Sequence, residues 1–218
     1  MDISILITNY NKGALLERAV RSALSQVLVR KTVEVIIVDD ASTDGSLKFI
    51  ADVFDQCKII KHPKNLGVAT ASNTALSASE GKYWLRLDAD DYLSQFALQY
   101  MSAVLDSNPD IGFVTADHLL INKFGEAPEV ISLADEHILL EHGAGVLFRR
   151  DLVEKHGGYN SNLRNCEDFD LIARYFSLGI KRFHLPIPLY RYFKQIDGLT
   201  KDDDRKKVLK ELRAKYAI

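Results

Sequence analysis

In the first half of the chain, short apolar runs alternate with longer amphipathic stretches. The apolar runs are rich in β-branched residues and predict buried strands, whereas apolar residues at helical spacing predict helices. This alternation predicts a mostly parallel sheet with right-handed crossovers and helices on its faces, a three-layer α/β/α sandwich. The predicted strands are Ile3 to Thr8, Val33 to Val38, Lys58 to Lys61 and Tyr83 to Leu87; the predicted helices are Ala14 to Leu28, a segment from Asp44 through Phe54, and Leu66 to Ala78.

The second half has a less regular pattern. Its elements are predicted from apolar runs, from amphipathic spacing and from the positions of proline and serine. The predicted strands are Ile111 to Ala116, Gly145 to Phe148, and one or two short strands in Lys181 to Tyr192 broken at Pro186 and Pro188; the predicted helices are Gln95 to Asp106 capped by Ser94, and Asp168 to Leu178. The chain shows no repeat, low-complexity tract or linker, so we expect residues 1–218 to form a single domain.

The composition is that of an ordinary globular protein, with 218 residues, 47% hydrophobic and 27% charged. A chain of this length buries roughly 70% of its unfolded surface, enough for one core. Lys and Arg number 28 against 30 Asp and Glu, a net charge of -2. Because no global positive field would attract nucleic acid, a nucleic-acid partner is disfavoured.

Several features bear on the location of the protein. Cys57 and Cys166 match neither a zinc-ligand spacing nor a disulfide framework, which is typical of a reducing compartment. No leader pattern follows Met1, and no apolar run approaches the ~18 residues of a membrane helix. The prediction is a cytoplasmic protein. The basic C-terminal segment Asp203 to Ile218 favours a helix packed on the body, the alternative being peripheral contact with the inner face of an anionic membrane.

Polar residues follow three of the predicted strands. Thr8-Asn9-Tyr10-Asn11 follow the first, Asp39-Asp40 the second and Asp88-Ala89-Asp90-Asp91 the fourth. Ligands of parallel α/β sheets bind outside the carboxyl ends of the strands, so these loops are the predicted site.

The acidic loop Asp88-Ala89-Asp90-Asp91 suits a hard divalent cation. Carboxylates this close raise one another's pKa unless a cation intervenes, and Mg²⁺ or Mn²⁺ takes one or two carboxylates together with substrate phosphates. Each loop taken by itself also has a structural interpretation: a solvated helix cap here, an Asx turn at Asp39 and a half-buried aromatic at Tyr10. Convergence of the three loops favours the functional interpretation.

Nine short motifs occur along the chain in a characteristic order. They are Ser4 to Asn11, Val35 to Ser46, Asn65-Leu66-Gly67, Gly81-Lys82-Tyr83, Leu87 to Asp91, Phe148-Arg149-Arg150, Gly157-Gly158-Tyr159, Glu167 to Leu171 and Tyr190-Arg191-Tyr192. Together they resemble the inverting family 2 nucleotide-sugar glycosyltransferases, which have the GT-A fold. The resemblance covers about residues 3 to 200 and implies a nucleotide-sugar-binding half in 1–92, an acceptor-binding half in 93–200 and a C-terminal helix in 201–218.

The resemblance implies roles for residues of the first half. Thr8 and Tyr10 match the family's base pocket, in which the aromatic ring stacks on the nucleobase, and Asp39 matches the carboxylate that accepts a hydrogen bond from the base. Asp88 matches a residue near the ribose. Asp90 matches the ligand of Mn²⁺ or Mg²⁺ that bridges to the diphosphate, with its neighbour Asp91 as a further candidate ligand.

The resemblance also implies roles in the second half. Asp168 matches the general base that takes the proton of the acceptor hydroxyl, and the start of a helix favours its ionised form. Glu167 is expected to bind an acceptor or sugar hydroxyl. Without the resemblance, both are interpreted as first-turn acids that stabilise a helix. His142 is expected to line the acceptor side, since the small residues Gly143-Ala144-Gly145 would let a sugar approach the backbone.

This chain departs from the family pattern at two places. Many members carry Arg within the segment that here is Ala71-Ser72-Asn73, so Ser72 lacks a cationic contact with the nucleotide. Many also have a metal-binding His a few residues after Tyr190-Arg191, and Gln195 stands at the matching spacing as a weaker candidate ligand. The stretch Gln195 to Asp204 is a candidate lid over the donor.

The implied function is transfer of a sugar, with inversion, from a nucleoside diphosphate, in the first place UDP, to a hydroxyl of a carbohydrate, lipid-linked or protein acceptor. Polysaccharide, glycolipid or glycoprotein assembly is the implied setting. A nucleotidyltransferase is one alternative, although Thr8 to Gly13 offers one Lys and one Gly where a triphosphate loop needs several. A non-catalytic nucleotide-sugar-binding subunit is the other.

Overall fold

A computed structural model describes residues 1–122, 129–193 and 203–217, in which nine strands form one sheet. The strands are β1 (Ile3–Asn9), β2 (Val33–Asp39), β3 (Lys58–Lys61), β4 (Tyr83–Asp88), β5 (Tyr92–Leu93), β6 (Ile111–Ile121), β7 (Glu129–Ile131), β8 (Leu147–Arg149) and β9 (Lys181–Phe193). The described helices are α1 (Leu15–Leu24), α2 (Val68–Ser77), α3 (Ala97–Ser107), α4 (Glu136–Glu141), α5 (Arg150–His156), α6 (Glu167–Ser177), α7 (Asp203–Tyr216) and a 3₁₀ helix (Ser46–Gln56).

The strand order is β3-β2-β1-β4-β8-β6-β9-β5, with β7 paired to β6. Strands β1 to β4 are parallel neighbours, and β6 and β9 form a second parallel pair. Strands β5, β7 and β8 pair antiparallel with their neighbours. The register pairs Asn9 with Asp39 and Thr8 with Asp88, so the polar ends of β1, β2 and β4 meet at one edge of the sheet.

Apolar residues on the two faces of the sheet form two core clusters. On β1, Ile3, Ile5 and Ile7 pack with α1, α3 and the 3₁₀ helix, whereas Leu6 faces the opposite cluster, which includes α2, α4, α5, α6 and α7. This division follows from the period of two along a strand. The predicted three-layer α/β/α arrangement is therefore confirmed.

Some predicted elements differ from those in the structure. Strand β9 runs from Lys181 to Phe193 as one strand, so the prediction of one or two short strands is met by one. The prolines interrupt its pairing and not the strand itself. Ala116 of β6 pairs with Leu185 and Asp117 with Pro188, because prolines donate no ladder hydrogen bond and an irregularity accommodates them. The segment after Asp44 is a 3₁₀ helix whose backbone is non-helical at Val53.

Ser94 does not cap α3 with its side chain. The helix begins at Ala97 and has no side-chain cap, while the Ser94 hydroxyl donates to the carbonyl of Pro188, 3.3 Å away. This serine therefore ties β5 to β9.

Gly145 is required where the chain passes beneath Tyr190. Its φ is +68°, and a Cβ at this position would overlap the Tyr190 ring. We expect Gly145→Ala to lower the free energy of unfolding by about 3 kcal/mol, combining backbone strain with overpacking. The matched control is Gly179→Ala, which has a φ of +72° but open space around the new Cβ. Urea unfolding of both variants separates the cost of backbone strain from that of overpacking. Equal losses of unfolding free energy in the two variants would show that the contact with Tyr190 adds no cost.

Candidate active site

The end of β2 holds Asp39 in a fixed orientation. Asn9 Nδ2 donates to Asp39 Oδ1 over 2.7 Å and to Ser42 Oγ over 3.0 Å, and the Ser42 amide is 3.3 Å from Asp39 Oδ2. These bonds join the predicted base-recognition carboxylate to the last residue of β1 and to Ser42. Asp39 is thus pre-oriented and does not depend on a ligand for its position.

Tyr10 lies on the loop after β1 and is 47% exposed. The loop is fixed directly after this ring: Asn11 Oδ1 accepts from the Thr43 amide over 2.8 Å, and the Gly13 amide donates to Asp44 Oδ2 over 2.7 Å. An exposed aromatic ring on a fastened loop can stack on a planar base.

Asp40 has a structural role next to the predicted base pocket. Its buried carboxylate accepts the amides of Leu66 and Gly67, each at 2.8–2.9 Å, and the ring Nδ1 of His62 lies 2.6 Å away. The acid therefore anchors the loop that contains the Asn65-Leu66-Gly67 motif to the end of β2.

Asp90 is partly exposed and already faces a cation. Lys12 Nζ lies 2.7 Å from Asp90 Oδ2, and Arg18 Nη2 donates to the Asp90 carbonyl over 2.6 Å. The loops after β1 and β4 therefore meet at this acid. A position that holds an ammonium group against a carboxylate is chemically suited to another cation.

Asp91 differs from Asp90 in its surroundings. It is 2% exposed, Oδ1 accepts the Phe193 amide and Oδ2 accepts the Tyr190 hydroxyl, each over 2.7 Å. Burial, together with the nearby charges of Asp90 and Asp88, raises the pKa of Asp91 well above its usual range. This carboxyl ties the acidic loop to β9 and is not directed at a ligand.

The acids at this edge supply only part of the coordination shell of a divalent cation. Within residues 1–122, 129–193 and 203–217, no three His, Cys, Asp or Glu side chains gather into a complete set of ligands. Mg²⁺ and Mn²⁺ need no such set, because phosphate and water complete their shells. Asp90 fits this requirement and Asp91 does not. Gln195 and most of the candidate lid lie outside the described residues, so those expectations stay predictions.

Arg86 is a site residue that the sequence analysis did not identify. It lies on β4, is 4% exposed, and reaches three carboxylates: Nε is 3.1 Å from Asp88, Nη1 is 2.7 Å from Glu167 and Nη2 is 2.5 Å from Asp168. Its guanidinium also lies 5.4 Å from the ring centroid of Tyr159. The available signal was an arginine within the apolar strand Tyr83–Asp88, since a buried charge needs a counter-ion.

Asp168 occupies the first turn of α6 and faces Arg86. Burial raises the pKa of Asp168 to about 7; Arg86 opposes this rise, while the charges of Glu167 and Asp88 add to it. A carboxyl that titrates near neutral pH has the proton affinity of a general base. The structure therefore places the predicted base in a chemically suitable setting, next to the donor-half residue Asp88.

The structure bears on two acceptor-side expectations. Glu167 is buried and its Oε1 pairs with Arg86, so it balances the charge of the guanidinium, while its contact with an acceptor or sugar hydroxyl stays a prediction. The space beside Gly143 and Gly145 is not open to a sugar: a Cβ at Gly143 would lie 2.7 Å from the Cβ of Asp168, and Gly145 adjoins Tyr190. These glycines permit close packing of the site's own side chains.

His142 does lie next to this region. Its ring meets that of Tyr192 edge to face, with centroids 5.7 Å apart, and its buried Nδ1 has no hydrogen-bond partner among the described residues. Burial lowers the pKa of His142, which favours the neutral imidazole. A neutral ring beside Gly143 and the predicted base is compatible with the expected place on the acceptor side.

Helix α7 packs on the body of the protein. Leu209 and Leu212 are buried, and the Tyr216 hydroxyl donates to Asp170 Oδ1 over 2.8 Å. Arg213 pairs with Glu141 of α4 at 2.9 Å. In the part of the chain described here, no helix has both the length and the apolar character to cross a bilayer.

A curled, mostly parallel sheet with acids at the carboxyl ends of neighbouring strands defines the fold class, and solved structures share it. S. aureus TarS 1-349 in complex with UDP-GlcNAc superimposes with a TM-score of 0.81, covering 98% of this chain and 66% of that one at 20% identity. The mannosyltransferase PcManGT from Pyrobaculum calidifontis, in complex with GDP-Man and Mn²⁺, gives 0.70 over 99% of this chain and 61% of that one, also at 20% identity. The fold is therefore GT-A, as predicted.

The family is shown by the sequence. The model of glycosyl transferase family 2 matches residues 4–157, and the chain belongs to this family. It is 29% identical over 212 residues to EpsE of Bacillus subtilis (strain 168), covering 91% of this chain and 75% of EpsE. It is 30% identical over 204 residues to the succinoglycan biosynthesis protein ExoU of Rhizobium meliloti (strain 1021). The chain spans 58% of ExoU, and that match covers 83% of this chain.

Proposed function

We propose that this protein transfers a sugar from a nucleoside diphosphate, in the first place UDP, to an acceptor hydroxyl with inversion at the anomeric carbon. One observation carries the proposal: three different groups lie around one edge of the sheet. They are the exposed ring of Tyr10, the carboxylate of Asp90, which pairs with a cation, and the buried carboxyl of Asp168, whose pKa is raised. Family membership, and the nucleotide sugars bound in TarS and PcManGT, support it.

The donor would bind across β1, β2 and β4. Tyr10 stacks on the base, Thr8 lines the same pocket, and the fixed Asp39 accepts a hydrogen bond from a base N–H. Asp88, paired with Arg86 and partly exposed, is placed to bind a ribose hydroxyl. The two ends of a nucleoside are then recognised by side chains that are oriented before it binds.

Asp90 would hold Mn²⁺ or Mg²⁺, which when bound neutralises the charge that develops on the departing diphosphate. Lys12 balances the Asp90 carboxylate in the structure described here. Asp91, through its bonds to Tyr190 and Phe193, keeps the loop that carries Asp90 in place.

Asp168 accepts the acceptor's proton as its hydroxyl oxygen attacks the anomeric carbon. The new C–O bond forms on the face opposite the diphosphate, the bond from carbon to the phosphate oxygen breaks, and the diphosphate leaves with the electron pair.

The base works in its ionised form, and the pKa of Asp168 is about 7. We therefore expect kcat/KM to fall as pH drops below about 7, and a flat profile from pH 5 to 8 would contradict this role.

We place the reaction in the cytoplasm, with polysaccharide, glycolipid or glycoprotein assembly as its setting. ExoU, a succinoglycan biosynthesis protein, supports a polysaccharide product. Cys57 and Cys166 are unpaired, as suits a reducing compartment. The acceptor is a carbohydrate, a lipid-linked sugar or a protein, and contact of α7 with the inner face of a membrane stays a prediction.

A donor panel tests this function. Wild-type protein with Mn²⁺ is incubated with UDP-, GDP- and dTDP-sugars, and release of the nucleoside diphosphate is measured. We expect turnover of at least one donor, highest for a UDP-sugar. Binding without turnover would instead support a nucleotide-sugar-binding subunit, and release of pyrophosphate from a nucleoside triphosphate and a sugar phosphate would support a nucleotidyltransferase. Neither binding nor turnover of any donor would overturn the proposal.

A further inference from the structure

Arg86 joins the two halves of the candidate site. It lies on β4 in the donor half, while two of its three carboxylate partners, Glu167 and Asp168, begin α6 in the other half. The third partner, Asp88, follows Arg86 by two residues and lies 3.1 Å from its Nε. One buried guanidinium thus faces three acids, and its position affects all of them.

The geometry of the guanidinium distinguishes the two acids of α6. Its two terminal nitrogens reach consecutive residues, Nη1 to Glu167 at 2.7 Å and Nη2 to Asp168 at 2.5 Å, a fork that a lysine cannot reproduce. The side chain of Asp168 is 18% exposed against 9% for Glu167. Among the described residues, the bond from Arg86 engages Oδ2 of Asp168 and none engages Oδ1.

We propose that Arg86 is a positioning residue of the transfer reaction, which holds the Asp168 carboxylate in the orientation and the ionised state needed to accept the acceptor's proton. The inference rests on the proposed function, in which Asp168 is the base. Arg86 itself contacts no reacting atom in this scheme. It holds Oδ2, so that Oδ1 is the oxygen presented to the acceptor.

The charges around Asp168 give this proposal its pH dependence. The groups that face Asp168 from β4, from α6 and from the segment before α6 are Arg86, Asp88, Glu167, Tyr159 and Cys166. Burial and the two carboxylates favour the protonated acid, and the guanidinium opposes them. A lysine at position 86 carries the same charge but cannot reach Glu167 and Asp168 together. Where it loses the contact with Asp168, that acid stays protonated to higher pH, since an adjacent opposite charge lowers a carboxyl pKa by about 1–3 units.

The test compares Arg86→Lys with a control arginine on the neighbouring strand. Arg149 of β8 donates from Nε to the carbonyl of Ile111 over 2.7 Å and lies outside the site. For Arg86→Lys we expect kcat to fall about 10²-fold, as for a misplaced reacting group, and the acid limb of kcat/KM to move up by about one pH unit. Because Arg86 also pairs with Asp88, the dissociation constant for UDP should rise by up to a few-fold, much less than the fall in kcat. Arg149→Lys should change the thermal stability and leave the acid limb of the kcat/KM profile at its wild-type pH.

A purely structural role for Arg86 would lower stability and leave the pH profile unmoved, and that result would overturn the proposal. If Arg86→Lys does not fold, Glu167→Gln supplies the second measurement. This variant removes one like charge beside Asp168, so the acid limb of kcat/KM should move to lower pH, opposite to the shift expected for Arg86→Lys. An acid limb at its wild-type pH would again overturn the inference.

Asp168→Asn separates this inference from the proposed function. Wild-type turnover in Asp168→Asn would remove the base assignment and with it the role of Arg86. An inactive Asp168→Asn together with an unshifted profile in Arg86→Lys would leave the base assignment standing and refute the positioning role.

Discussion

Asp168→Asn is expected to lower kcat by about 10²- to 10⁴-fold, the range that general bases contribute. The amide keeps the size of the side chain but has little affinity for a proton. The nucleotide contacts proposed for Tyr10, Asp39 and Asp90 are untouched, so the affinity for UDP should change by less than a few-fold. Initial rates of UDP release and calorimetric UDP titrations measure the two quantities separately.

The matched control is Asp170→Asn, another acid in the first turn of α6. Asp170 is buried and bonds Lys215 and Tyr216 of α7, away from Arg86. We expect this variant to lose stability and keep its turnover. If Asp168→Asn instead behaves like Asp170→Asn, with unaltered turnover, Asp168 is a helix-stabilising acid and the base lies elsewhere.

Asp90→Asn is expected to abolish the metal-dependent part of nucleotide binding. At a ligand concentration 100 times Kd, binding stabilises a protein by about 2.7 kcal/mol, so UDP with Mn²⁺ should clearly raise the Tm of the wild type. In Asp90→Asn the increment due to Mn²⁺ should vanish. Transfer should fall by about 10²- to 10³-fold, as expected when a group that stabilises developing charge is lost.

Asp91→Asn is the control for this prediction. Because Asp91 bonds Tyr190 and Phe193, its replacement should lower the Tm without ligand, yet Mn²⁺ should still add stability in the presence of UDP. The reverse pattern, with the metal increment lost in Asp91→Asn and kept in Asp90→Asn, would exchange the roles of the two acids.

The donor half could be predicted from the sequence because its signals are local. Strands β1, β2 and β4 are largely apolar runs, and each site residue predicted in this half lies at the end of its strand or directly after it, as Asp39 ends β2. The parallel register then brings the strand ends together without information from distant residues. Motif order supplied the family, which fixed the roles expected of Tyr10 and Asp90.

The parts of the site and fold that could not be predicted depend on contacts between residues far apart in sequence. Arg86 meets Glu167 and Asp168 across 81 and 82 residues, so no local pattern reveals that Glu167 is a buried counter-charge. The packing of Gly143 against Asp168 is likewise a tertiary contact. Strand β5 is two residues long, too short for any periodicity, and exists through its pairing with β9.

The central claim is that the loops after β1, β2 and β4 bind a nucleoside diphosphate through a cation at Asp90. Crystals soaked with UDP and Mn²⁺, with anomalous data collected for manganese, test it most directly. We predict an anomalous peak between Asp90 and the diphosphate, with uracil stacked on Tyr10 and bonded to Asp39. UDP bound away from this edge of the sheet, or manganese bound without contact to Asp90, would contradict the account.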